Sequence, residues 1–91
     1  MEVTDHQPGG WYLLRDGAHH YLDVNVHLPL VDTSILIQLN EEEETESILG
    51  RVYIDYLAAR VNYWSSQYQA RNITGPVAQE VHQAIMRWLE I

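Results

Sequence analysis

Apolar and polar residues alternate along the first half of the chain, and the period then lengthens in the second half. Residues 11 to 15 read WYLLR and residues 18 to 28 read AHHYLDVNVHL, with Asp16-Gly17 between them. Asp-Gly between two apolar stretches predicts a β-hairpin, because these residues reach the turn conformations that match the twist of paired strands. With Asp16 and Gly17 as a two-residue turn, Leu13 is expected opposite His20, Tyr12 opposite Tyr21 and Trp11 opposite Leu22. Successive side chains point to opposite faces of a strand. One face then carries Trp11, Leu13, His20, Leu22, Val24 and Val26, and is assigned to the core. The other carries Tyr12, Leu14, His19, Tyr21, Asp23, Asn25 and His27, and is assigned to solvent. Pro29 ends the second strand, since it has no N–H to donate to a ladder. A short connection through Asp32 and Thr33 leads to SILIQLN, a third strand in which Ile35, Ile37 and Leu39 alternate with Leu36 and Gln38. So short a connection favours an antiparallel meander.

From Asn40 the pattern turns helical. Asn at the cap position, acids through the first turn and Glu three residues after the cap form a helix-start signature. Between Thr45 and about Arg71 there is no proline, and Ile48, Leu49, Val52, Tyr53, Tyr56, Leu57, Val61, Trp64 and Tyr68 recur at three- and four-residue steps, which predicts one long helix. Gly50 is a possible break in it, because glycine costs about 1 kcal/mol relative to alanine in a helix interior. Asn72 to Pro76 is a stop and restart, with Pro76 where its missing N–H costs nothing. The second helix then has an apolar stripe of Val77, Val81, Ala84, Ile85, Trp88 and Leu89. The fold class expected is α+β, a three-stranded antiparallel meander followed by two helices (β-β-β-α-α) packed on one sheet face. Residues 1 to 10, polar and ending in Pro8-Gly9-Gly10, are expected to be a flexible tail, and residues 11 to 91 a single domain.

Composition narrows the function classes. The 91 residues include 13 acidic side chains against 5 basic ones, a formal net charge of −8, and no lysine. A surface so acidic has no electrostatic attraction for phosphate backbones or anionic membranes, so direct nucleic-acid binding is not expected. Absence of cysteine excludes disulfides, thiolate metal sites and cysteine nucleophiles, and makes a cytoplasmic location the default expectation. MEVTDHQPGG does not resemble a secretion signal, and no apolar stretch approaches the roughly 20 residues needed to span a bilayer. Asn72-Ile73-Thr74 matches a glycosylation acceptor pattern that has no consequence without export.

Three groups of residues are candidates for function. The long helix has a narrow polar side (Arg51, Asp55, Asn62, Ser66, Gln69) and two apolar sectors. Ile54, Leu57, Val61, Trp64 and Tyr68 can pack on the sheet, while Val52, Tyr56, Ala59 and Tyr63 point roughly opposite. Tyrosine, tryptophan and arginine are enriched in interface hot spots, so Tyr53, Tyr56, Arg60, Tyr63 and Trp64 are read as a homodimer interface, with Arg60 orienting the pair. The outer sheet face offers a possible polar site of Tyr21, Asp23, Asn25, His27 and His19. His–Asp spacing of this kind is only weakly specific for a divalent ion, and no metal or other cofactor is expected. Finally, Glu41, Glu42, Glu43, Glu44 and Glu46 could imitate phosphates and engage a basic partner protein, as an inhibitor or nucleic-acid mimic does. Their simpler role is to complement a helix dipole. No nucleophile elbow, phosphate loop or zinc-hydrolase spacing is present, so a noncatalytic protein-binding domain is expected rather than an enzyme.

Overall fold

The computed structural model describes residues 1–30 and 32–90; Val31 and Ile91, which fall within the expected domain of residues 11 to 91, lie outside the described residues. Two glycine turns organise the sheet. Gly9, at φ +73°, sits in the turn between β1 (Glu2–Gln7) and β2 (Trp11–Asp16), where Gly10 N–H donates to Gln7 O. Gly17, at φ +61°, begins the two-residue turn between β2 and β3 (His19–His27). With β4 (Asp32–Gln38) the strands form an antiparallel sheet in the order β1-β2-β3-β4. The class is α+β, with four strands where three are expected from the sequence.

The extra strand corrects the expectation of a tail. Residues 2 to 7 contain little apolar surface, but β1 pairs along β2, with an irregularity between Val3 and Asp5, and Met1 and Val3 pack into the core. Polar ties add to this. Thr4 Oγ1 donates to Leu13 O, Arg15 pairs with Glu2, and Arg51 bonds to Asp5, Gln7 and the His6 carbonyl.

The β2–β3 register also differs from expectation. The turn residues are Gly17 and Ala18, so Asp16 faces His19, Leu13 faces Leu22, Tyr12 faces Asp23 and Trp11 faces Val24. Positive φ at the first central residue alone fits a turn led by glycine rather than the Asp-Gly form, which places both residues at positive φ. Each partner moves by two residues. Because side chains alternate with period two, every residue stays on its assigned face.

Helices cover both sheet faces, not one. Beneath the first face, Trp11, Leu13, Leu22, Val24, Val26, Ile35, Ile37 and Leu39 pack with Ile54, Leu57, Ala58 and Val61 of α2 (Arg51–Tyr63). On the second face Leu14, Tyr21 and Leu36 are buried by Val81, Ala84 and Ile85 of α4 (Pro76–Leu89). This second core forms because Leu14, Tyr21 and Leu36 occupy one end of a face whose remaining residues on β3 are polar.

The long predicted helix is divided twice. Asn40 caps α1 (Glu41–Ser47) with a reciprocal capping box to Glu43, and the chain turns at Gly50, φ +134°, before α2 begins. At Trp64 the backbone leaves the helical region, giving a short α3 (Ser65–Tyr68) and a 3₁₀ turn, Gln69–Arg71. The following segment runs along the edge of β4, where Leu36 N–H donates to Asn72 Oδ1 and Ile73 N–H donates to Leu36 O. These bonds satisfy part of an otherwise open sheet edge.

Candidate functional site

On α2 the two apolar sectors have different fates. Ile54, Leu57 and Val61 are buried under the sheet, whereas Val52, Tyr53, Tyr56, Tyr63 and Trp64 remain exposed. Tyr56 is 57% and Tyr63 79% accessible, and with Ile48 and Leu49 at the end of α1 they make the longest run of exposed large apolar residues in the described chain. Tyr53 and Tyr56 meet edge to face at 6.1 Å, as do Tyr63 and Trp64 at 4.6 Å. The charged residues of this helix are all engaged inside the molecule. Arg51 bonds to Asp5, Asp55 accepts from Trp11 Nε1 at 2.8 Å, and Arg60 pairs with Glu46 at 3.1 Å. Burial alone lowers the pKa of Arg60, but bonds to Tyr68 and Glu46 and their charges more than offset this, and the net shift is upward. Its guanidinium is therefore tied to α1 rather than free to orient a second molecule.

The acidic run is largely occupied by the fold. Glu43, 5% accessible, accepts two hydrogen bonds from Arg71 at 2.6 and 2.9 Å and closes the capping box with Asn40. Glu44 accepts from His20 twice, from the backbone N–H at 2.9 Å and from Nδ1 at 2.6 Å. His20 thus holds its place near the hairpin end as a hydrogen-bonded structural histidine. With Glu46 paired to Arg60, only Glu41 and Glu42 lack an ion-pair partner among the described residues.

The five residues of the possible polar site do not converge. Tyr21 is buried against α4. His19 sits at one end of β3, where Gln38 Nε2 donates to its Nδ1, and His27 at the other, beside Asp32. Eight residues of extended chain separate these histidines by roughly 26 Å. Among the described residues, no three of His, Asp and Glu gather closely enough to hold a metal ion.

Asp23 and Asn25 have a different setting. Two lobes of about 240 and 250 Å³ meet at Asp23 and Ser34 and make a groove beside α4. One lobe is walled by Gly9, Gly10, Tyr12 and Asn25, the other by Leu36, Ile73, Ala78 and His82. Burial pushes the Asp23 carboxyl above its ordinary pKa, and the charge of His82 offsets part of that. Among the described residues neither the Asp23 carboxylate nor the Ser34 hydroxyl hydrogen-bonds to another protein group, although both share a lobe with His82. Ser34 and His82 are not singled out by sequence. Ser34 could be found from its pairing with Asn25 once the β3–β4 register is known, but only the docking of α4 brings His82 to the groove.

The chain matches no family model, no curated protein and no solved structure. Among the described residues no helix is long and apolar enough to cross a membrane.

Proposed function

We propose that this is a noncatalytic protein-binding domain that self-associates through the exposed face of α2. The observation carrying this reading is the run of exposed apolar and aromatic side chains from Ile48 to Trp64, along and just beyond a helix whose charged side chains are all bonded within the molecule. Such a face gives a charged partner no handle, but suits an apolar one with tyrosines at its centre.

The spacing of residues on this face suits a second copy of the same chain. Val52, Tyr56, Ala59 and Tyr63 follow one another at steps of four, three and four, the spacing of a helix–helix seam. In an antiparallel pair related by a two-fold axis, Tyr56 of one copy faces Ala59 of the other and Val52 faces Tyr63. Large then meets small at each level, as interdigitation requires. The flanking Ile48, Leu49, Tyr53 and Trp64 widen the contact, which a 13-residue helix alone keeps narrow.

Replacing Tyr56 by Asp puts a charge at the centre of the seam and is expected to halve the solution mass without loss of fold, as read by light scattering and circular dichroism. A folded Tyr56→Asp variant with the parent's dimeric mass would place the contact elsewhere.

A further inference from the structure

We propose that the groove beside α4 binds an organic cation, a primary ammonium or guanidinium group, with the Asp23 carboxylate as its counter-ion. Asp23 is set at the junction of the two lobes, partly withdrawn from water, and accepts no hydrogen bond from the described protein groups. Withdrawn carboxylates are ordinarily paired, because the loss of hydration is otherwise uncompensated. No lysine or arginine bonds to Asp23 among the described residues. The chain has no lysine, Arg15, Arg51, Arg60 and Arg71 are paired with Glu2, Asp5, Glu46 and Glu43, and Arg87 lines a separate hollow with Glu2 and Trp88; His82, in the second lobe, acts on Asp23 through its charge without a hydrogen bond.

The rest of the groove suits the same ligand. Ser34 and Asn25 offer neutral oxygens for the N–H groups that Asp23 does not take. Tyr12 lines the same lobe, its ring held by stacking on His6 at 5.7 Å and by an edge contact with Trp88 at 6.0 Å. Leu36, Ile73, Ala78 and Val81 in the second lobe give an alkyl stem somewhere apolar to lie. Each lobe is below the roughly 300 Å³ at which pockets for larger ligands begin, so the size matches a short alkylamine or one basic side chain.

The test is a titration of the ¹⁵N-labelled full chain with n-propylammonium chloride, and separately with an end-blocked Gly-Lys-Gly peptide, at constant ionic strength. Saturable shifts are expected at the amides of Asp23, Ser34 and Ala78, with a dissociation constant on the order of 1 mM for propylammonium. Asp23→Asn should weaken binding at least about tenfold. Propionate, of similar shape and opposite charge, should leave these amides unmoved, a control that holds whatever the variant does to the fold. Tighter binding of the peptide assigns the cation to a protein side chain, and equal binding assigns it to a free amine; both sustain the site. Absence of saturable shifts with either cation, equal affinity in a folded Asp23→Asn variant, or matching shifts with propionate would overturn it.

Discussion

Burial raises the pKa of two carboxylates in this chain, yet their net shifts run in opposite directions. At Glu43, burial pushes the pKa up, but bonds from Arg71 and the Asn40 N–H, with the charges of Arg71 and Arg60, outweigh it and the net shift is downward. A carboxyl depressed in the folded state stabilises the fold above the ordinary carboxylate range, and that stability is lost as pH falls through the folded pKa. Glu43→Gln is therefore expected to flatten the acid limb of the stability profile and to cost about 2 kcal/mol at neutral pH in urea unfolding, less than a fully buried pair because Arg71 is partly solvated. At Asp23 burial prevails and the pKa is raised. Its contribution favours the fold while it is protonated and is lost as pH rises from the ordinary aspartate value through the folded one. Asp23→Asn should accordingly raise Tm at neutral pH while weakening cation binding, a pairing that differential scanning calorimetry and the titration together can read. The capping role of Glu43 is legible in the spacing Asn40 to Glu43. Its partner Arg71, 28 residues further on, is not, because α3 and the 3₁₀ turn must first bring the chain back.

Turns and breaks decide how the elements are laid out. Gly50 adopts φ +134° and ψ 169°, a region effectively open to glycine alone, and a Cβ there meets nothing within 4 Å. Gly50→Ala thus isolates the backbone cost, expected at about 1–3 kcal/mol in urea unfolding. The break is visible in the sequence because glycine is a poor helix interior residue; the one at Trp64 carries no comparable mark. Strand faces are legible too, and they survive a wrong turn assignment because the register shift is even. The position of α4 is not legible. On β3 the polar residues Asp23, Asn25 and His27 outnumber Tyr21 on that face, while the apolar groups that complete the second core, Leu14 and Leu36, lie on neighbouring strands. Leu14 is fully buried there, so Leu14→Ala should cost about 2–5 kcal/mol and speed amide exchange in α4. Strand β1 escapes notice for a related reason: it is held by pairing and by Arg51, with little apolar surface of its own.

At the scale of the whole molecule, charge and apolar exposure are separated. The chain carries a net charge of −8, yet each charged side chain of α2 is bonded within the molecule, Arg51 and Arg60 in ion pairs and Asp55 to the Trp11 indole. Two copies meeting on the exposed face of this helix bring apolar surfaces together while their other surfaces repel, and added salt screens that repulsion without weakening apolar burial. Self-association should therefore hold or strengthen as ionic strength rises, whereas engagement of a basic partner by Glu41 and Glu42 would fade. The measurement that tests this most directly is the absolute mass of the parent chain by light scattering behind a sizing column, at low and high salt. A mass of twice 10.6 kDa that persists or grows more populated at high salt is predicted. A mass of 10.6 kDa at both salts, at concentrations where weak dimers form, would contradict self-association through α2.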